Sequence, residues 1–391
     1  MDQVRILHCA DLHLGSRRDG VQASFDEREN EKRFGFRRLI DLCREERVQL
    51  LLIAGDLFDR LDIAPALLRE VQERLGGLSH TRVFIAPGNH DYYAVDSPYA
   101  QSGWPENTVI FHGAAESVVV PEWQVCVTGV GFEASHVSRF LFEGVDVRHY
   151  EGIHIGLAHG ELSGKKGGEY HPISVEALAR WGFDYLALGH IHRRTPILRE
   201  SGLSYAYPGC PVGTGFDELG EKGAYLGTIG KGGTALRFVP IARRCYYEKE
   251  VVLTGAENRE ALTERILSEL RGVGEAWTEQ VYRIVLIGEV SDEAALLLPM
   301  VQADVCAQLF SAEFIDRTTP QIDADALTEE CSLRGAFARA AKERIRTAQE
   351  RGESEEVRQW QNALRVGLRA FSGKEELLDY STVPSDLFWE V

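Results

Sequence analysis

The first 245 residues alternate short apolar runs with longer stretches of mixed polarity. Residues 4–10, 50–54, 82–86, 124–130, 153–158 and 185–188 are rich in Val, Ile and Leu, and most stop at Gly, Asp or Pro. Unbroken apolar runs of this length predict strands buried on both faces. Between the first two runs, residues 31–46 carry Phe34, Leu39, Leu42 and Cys43 at helical spacing. Between the next two, Pro65 opens a second helix with Leu67, Leu68, Val71 and Leu75 as its apolar stripe. Strand–helix–strand alternation predicts a layered α/β domain over residues 1–245.

The pattern then changes. Residues 249–253, 280–287 and 313–315 read as strands, and 260–270 and 292–309 as helices. They predict a small α+β domain over residues 246–330 with its own core. The region 331–391 reads as a helical tail: Leu333, Phe337, Ala341 and Ile345 recur at four-residue steps. Val357, Trp360, Leu364, Leu368 and Phe371 continue the stripe after the polar break Gly352-Glu353-Ser354-Glu355. Packing of the stripe on its own domain and docking of a partner helix are both compatible with it. A chain of 391 residues fits two to three domains.

Charge narrows the classes of partner. The net charge is −17, yet residues 1–245 hold 27 basic and 32 acidic side chains, and residues 250–330 hold 5 and 17. The acidic middle segment repels polyanions, so any attraction for nucleic acid must come from local basic loops or from a partner. Arg17-Arg18, Lys165-Lys166, Arg193-Arg194 and Arg243-Arg244 are the available pairs. No run of 18 apolar residues occurs, so no membrane span is expected. The start, Met1-Asp2-Gln3-Val4-Arg5, lacks the charged-then-apolar order of a signal peptide. Seven scattered cysteines without a CxxC predict reduced thiols in a cytoplasm.

Five of the predicted strands run into metal-ligand residue types: Asp11-Leu12-His13, Gly55-Asp56-Leu57-Phe58-Asp59, Pro87-Gly88-Asn89-His90-Asp91, His159-Gly160 and Gly189-His190-Ile191-His192. Ligands of α/β sheets gather outside the carboxyl ends of strands. Residues two apart in extended chain point the same way, so Asp11 with His13, and His190 with His192, can each present two donors to one side. A single such motif is weak, and five at strand ends in one domain are strong. Carboxylate, imidazole and amide donors without thiolate suit manganese, iron, magnesium or zinc. Two divalent cations held by a bridging carboxylate can clamp a phosphate and generate hydroxide near neutral pH.

This ordered set resembles the calcineurin-like metallophosphoesterase superfamily. Asp11-Leu12-His13-Leu14-Gly15, Gly55-Asp56-Leu57-Phe58-Asp59-Arg60, Pro87-Gly88-Asn89-His90-Asp91, Asp184-Tyr185-Leu186-Ala187-Leu188-Gly189-His190-Ile191-His192 and Tyr207-Pro208-Gly209-Cys210-Pro211 are similar to the SbcD/YhaO-like DNA repair exonucleases over residues 1–245. Cys210 departs from the family, which often has Ser there. The resemblance implies a four-layer β-sandwich flanked by helices, an α+β capping domain over 246–330, and a tail over 331–391. It also implies two divalent metal ions, manganese foremost, with Asp11, His13 and His192 on the first. Asn89, His159 and His190 would hold the second, and Asp56 would bridge. His90 would face the substrate, and Asp91 would orient a histidine. Asp59 would either support the site or pair with Arg60.

The implied activity is a metal-dependent DNA phosphodiesterase of double-strand-break repair, exonuclease and in some members endonuclease. Its implied partners are DNA and an SMC-like coiled-coil ATPase (SbcC-like) bound to the tail stripe; a homodimer is compatible with the family, but no heptad run is long enough to argue it. A phosphodiesterase or phosphatase for small nucleotides, and a scaffold with a vestigial metal site, remain open on the residues alone. Histidines 8, 80, 112, 136, 149, 154 and 171 read as structural or surface. Tyr92 and Tyr93 read as packing on the loop at 96–102, with base stacking as the alternative.

Overall fold

The computed structural model describes residues 3–16, 22–162, 170–321 and 326–371. The basic pairs Arg17-Arg18 and Lys165-Lys166 lie outside the described residues. The chain divides into two compact units, Met1–Tyr247 and Glu248–Val391. In the first unit the strands are β1 (Gln3–Cys9), β2 (Leu50–Ile53), β3 (Arg82–Ile85), β4 (Thr108–Ile110), β5 (Gly113–Val120), β6 (Val125–Gly131), β7 (Ile153–His159), β8 (Tyr185–Gly189), β9 (Leu198–Glu200), β10 (Leu203–Ala206), β11 (Gly223–Gly230) and β12 (Gly233–Pro240). Its helices are α1 (Gln22–Glu45), α2 (Pro65–Gly76) and α3 (Val175–Arg180).

The strands form two six-stranded sheets, ordered β12-β11-β1-β2-β3-β4 and β5-β6-β7-β8-β10-β9. β1 to β4 run parallel, as do β6, β7, β8 and β10. Alternating side chains sort into layers. Val4, Ile6, Leu50, Leu52 and Phe84 of the first sheet meet Val127, Ile153, Ile155 and Tyr185 of the second. On the other face of the first sheet, Leu7, Cys9, Leu51 and Ile53 pack under Leu39 and Ile40 of α1 and Val71 and Leu75 of α2. On the far side, Leu186 and Leu188 are covered by Leu178 of α3, Phe142 and Val147. The result is the layered α/β domain that the alternation predicts, built as two sheets between two outer layers.

Register then places the motifs. Cys9 pairs with Ile53 and Ile53 with Ile85, so Asp11, Asp56 and Asn89 follow one shared rung. His159 pairs with Gly189, one residue before His190. At this end the two sheets touch. Packed sheets usually stand about 10 Å apart with side chains between them. Here a Cβ on Gly189 would sit 1.7 Å from the Ala54 carbonyl oxygen and 2.8 Å from the Ala10 Cβ. Gly55 has φ +90°, and a Cβ there would sit 2.2 Å from His159 Nδ1. Only glycine fits either position.

Six strands of this unit escape the apolar-run criterion. β4 and β9 have three residues each, β5 and β12 are edge strands with repeated exposed positions, and β11 is interrupted by Gly227. β10 is fully buried, but its four residues include Ser204. α1 begins at Gln22, nine residues before the predicted start, because its first turns carry no apolar stripe.

The second unit holds β13 (Tyr246–Val252) from Glu248 onward, β14 (Val281–Val290) and β15 (Ser311–Pro320) in one sheet, with α4 (Arg259–Arg271) and α5 (Asp292–Cys306). β15 runs parallel to β14 through all ten residues, although only 313–315 has a strand-like pattern. Its Ser311, Glu313, Asp316 and Arg317 are exposed, as on an edge strand. α6 (Leu333–Arg351) and α7 (Ser354–Ala370) form a hairpin; Gly352, at φ 72°, ends α6 in the left-handed conformation. Phe337, Ala341 and Ile345 of α6 pack with Trp360, Leu364 and Leu368 of α7. The stripe expected to dock an ATPase helix therefore closes on itself, because two antiparallel faces satisfy each other; Leu333, 76% exposed, stays outside.

The inter-sheet contact yields a stability prediction. Gly189→Ala should cost about 1–3 kcal/mol through overpacking, seen as a lower midpoint in urea unfolding. An unchanged midpoint would show that the sheets are not in contact at this point.

Candidate metal centre

Four of the candidate residues sit in left-handed backbone that side chains disfavour: Asp11 (φ 55°), His13 (φ 48°), Asp56 (φ 48°) and His190 (φ 102°). Such positions cost roughly 1–3 kcal/mol each and persist where surrounding structure holds them. Here the loops after β1 and β2 zip together. Asp11 N–H donates to Gly55 O at 3.0 Å, His13 N–H to Asp56 O at 2.9 Å, and Leu14 N–H to Leu57 O at 3.0 Å. The second sheet joins through His190 N–H, which donates to Asp11 Oδ1 at 3.0 Å, and the third loop through His90 N–H, which donates to Asp56 Oδ1 at 3.0 Å.

Asp11, His13 and His192 bring ligand-type atoms within 4.8 Å of one another. His13 Nδ1 donates to Asp59 Oδ1 at 3.1 Å, and His192 Nδ1 is hydrogen-bonded to Glu218. With both Nδ1 atoms so engaged, the two Nε2 atoms face each other at 3.1 Å. Two bare lone pairs repel at that distance. A proton or a cation shared between them removes the conflict, which is what a metal site requires.

Asn89, His159 and His190 form a second cluster. His159 Nδ1 donates to the Ala54 carbonyl at 2.9 Å, which leaves Nε2 free as a donor atom. Asn89 Oδ1 lies 2.9 Å from His159 Nε2 and 3.2 Å from His190 Nδ1. His190 Nε2 lies 3.4 Å from Glu161 Oε1. Asp56 joins the two clusters: its Oδ2 is 3.4 Å from His159 Nε2 and 3.7 Å from His13 Nε2. All seven residues proposed from sequence as ligands thus converge on one centre, with an oxygen and nitrogen donor set that fits two divalent cations.

His90 is exposed and lines a cavity of about 170 Å³ with Asp11, His13, Asp59 and His192. Its Nδ1 donates to the Asp59 carbonyl at 3.1 Å, and its ring stands edge-on to His13. Asp91 departs from the expectation that it orients a histidine. Fully buried, it accepts from Phe58 N–H at 3.0 Å, from Gly88 N–H at 2.8 Å and from the Tyr99 hydroxyl. The carboxylate is consumed in fixing two loop backbones, because these amides have no strand partner. Asp59 serves His13, while Arg60 lies near Asp62.

Glu161 and Glu218 have no counterpart in the motifs. Glu161 directly follows the His159-Gly160 strand end, whereas Glu218 lies far along the chain from any of the five motifs and is placed by proximity in space alone. His171, read as structural or surface, is buried behind the centre and donates from Nδ1 to the His159 carbonyl at 2.9 Å. His8 and His154 are buried and bonded to main-chain carbonyls, as structural histidines are. Tyr93 packs against the core and stacks on His112 at 4.5 Å. Cys210 is buried, with its N–H donating to the His192 carbonyl at 3.3 Å. Among the basic pairs, Arg194 covers the Phe238 ring and Arg244 pairs with Glu31, while Arg193 is exposed beside His192.

Charge placement sets the protonation. Burial lowers His159 to about 4, so its ring is neutral and ready to bind a cation. Burial opposes the ionisation of Asp56, but His159, His13 and His90 outweigh it and hold the carboxyl below its ordinary range. Burial, with Asp56 nearby, raises Asp11. His192 is raised too: burial works against its charge, but Glu218 and Asp11 prevail. A cation needs Asp11 ionised and His192 Nε2 bare, so binding must release protons. Raised groups hold those protons at lower pH, and affinity for manganese should therefore climb as pH rises from about 6.5 to about 8. Calorimetric titrations in buffers of different ionisation enthalpy should show the released protons; an affinity flat with pH would contradict the assignment.

Comparison with known proteins agrees with this geometry. The sequence pattern of the calcineurin-like phosphoesterases matches residues 4–194. The chain is 32% identical over 305 positions to the YhaO metallophosphoesterase of Bacillus subtilis, spanning 74% of this chain and 72% of that protein. It is 25% identical over 408 positions to the DNA double-strand break repair protein Mre11 of Methanopyrus kandleri, spanning 99% of this chain and 81% of that one. Among solved structures, TT1561 of Thermus thermophilus aligns at a TM-score of 0.38 and 14% identity over 61% of this chain and 99% of that one. With its sandwich fold, its family match and its likeness to YhaO, the chain belongs to the calcineurin-like metallophosphoesterases, hydrolases of phosphoester bonds.

Proposed function

We propose that this chain is a dinuclear, manganese-preferring DNA phosphodiesterase, an exonuclease with endonuclease capacity that acts in the cytoplasm with an SMC-like coiled-coil ATPase. The observation that carries the reading is Asp56, whose Oδ2 reaches both clusters, 3.4 Å from His159 and 3.7 Å from His13. A carboxylate so placed can bridge two cations. The DNA assignment is supported by the likeness to Mre11, named for double-strand break repair, across nearly the whole chain.

In this reading Asp11, His13 and His192 hold the first cation, and Asn89, His159 and His190 the second. A pair of divalent cations supplies Lewis acidity and a hydroxide nucleophile near neutral pH. His90 contributes the proton chemistry. Its Nδ1 is anchored on the Asp59 carbonyl, so Nε2 faces the substrate, and in the imidazolium form, with both nitrogens protonated, it gives a proton to the leaving oxygen or hydrogen-bonds the phosphoryl group. Asp91 acts at a distance, by fixing the amides of Phe58 and Gly88. No helix of the described residues is long and apolar enough to cross a membrane. Arg193, exposed next to His192, is placed to meet a backbone phosphate. An ATPase partner would supply the remaining attraction that the acidic 250–330 segment lacks.

Linear duplex DNA, single-stranded DNA, a cyclic nucleotide and a small aryl phosphodiester, each with manganese, test the proposal. DNA cleavage should be abolished by chelation and restored by the metal. His90→Asn should lower kcat about 10²–10⁴-fold, the range for loss of a proton-transfer group, and Asp56→Asn should lower it at least as much. Cleavage of the cyclic nucleotide without cleavage of DNA would instead favour a small-nucleotide phosphodiesterase. Undiminished DNA cleavage by either variant would contradict the site.

A further inference from the structure

Two lysines are buried beneath the first cluster. Lys32 of α1 is 8% exposed and Lys222, just before β11, is 7% exposed. Lys32 Nζ donates to the main-chain carbonyl of His13 at 3.1 Å, and to Ser16 Oγ at 2.5 Å. Lys222 Nζ donates to the main-chain carbonyl of His192 at 3.3 Å. The arrangement repeats. On each histidine a lysine holds the backbone carbonyl, while a carboxylate, Asp59 or Glu218, holds the imidazole Nδ1.

A buried ammonium is costly unless opposite charge lies near it. Asp59 and Glu218 provide that charge; Lys32 helps hold Asp59, and Lys222 helps hold Glu218, below the ordinary carboxylate range. Each lysine thus faces the carboxylate that supports its histidine. The histidines gripped this way are the two whose Nε2 atoms converge at 3.1 Å. Both lysines act on the same pair: their hydrogen bonds go to His13, Ser16 and His192.

We propose that Lys32 and Lys222 are a matched pair of positioning residues that fix His13 and His192 around one shared cation and leave the second cation site untouched. The inference rests on the dinuclear reading above. The test is a calorimetric manganese titration of the metal-stripped full chain, which resolves two equivalents for the wild type. Lys32→Met and Lys222→Met should each weaken one equivalent about 10–100-fold, the usual effect of losing support behind a ligand, and leave the other within about twofold. At saturating manganese, kcat on a small aryl phosphodiester should recover, with KM for that substrate unchanged. If a methionine variant does not fold, Lys32→Gln and Lys222→Gln, which keep a donor for the carbonyl, should weaken the same single equivalent by less than about 10-fold and leave the other unchanged. Two wild-type affinities in the variants, or equal weakening of both equivalents, would overturn the pairing. A wild-type chain that takes up no manganese would overturn the dinuclear reading itself.

Discussion

The centre depends on a close contact between two β-sheets. Where β1 and β2 meet β7 and β8, the side chains that normally separate packed sheets are replaced by Ala10, Ala54, Gly55 and Gly189. The Ala54 carbonyl can then accept from His159 Nδ1, and Asp11 from the His190 amide. Each bond crosses from one sheet to the other. Ligands from five strand ends are brought together by this pinch, and the left-handed turns at Asp11, His13, Asp56 and His190 aim them inward. The apolar layers on either side offset that local strain by fixing the strands that carry it.

Electrostatics follow from the same geometry. Among the carboxylates in or behind a largely buried site are Asp11, Asp56, Asp59 and Glu218. Two of them support imidazoles and face buried lysines; two point at the space where cations would sit. The imidazoles are divided accordingly. His159 is neutral by burial, whereas His192 carries a raised affinity for a proton that a metal would replace. A site of this kind reads phosphate rather than base, so selection among phosphoesters has to come from its surroundings.

Much of this was legible in the chain because metal-ligand residues follow apolar strand runs, and strand ends in an α/β sheet converge whatever lies between them. Asp11, Asp56 and Asn89 could be grouped from that rule alone. Asp91 could not be assigned correctly, since a carboxylate beside a histidine in sequence says nothing about which amides lack partners in space. Glu218, Lys32 and Lys222 were invisible for a related reason: they come from a loop or helix away from the ligand motifs, and their roles exist only once the sheets have closed. The tail stripe is helical as its spacing predicts, but periodicity cannot tell a docking face from the inside of a hairpin. β11 and β12 were missed because glycine breaks one and repeated exposed positions disguise the other.

Anomalous diffraction at the manganese edge, from crystals of the full chain soaked in the metal, tests the central claim most directly. The account predicts two peaks about 3.5–4 Å apart, one among Asp11, His13 and His192, the other among Asn89, His159 and His190, with Asp56 reaching both. A single peak, or a pair that Asp56 does not bridge, would contradict it.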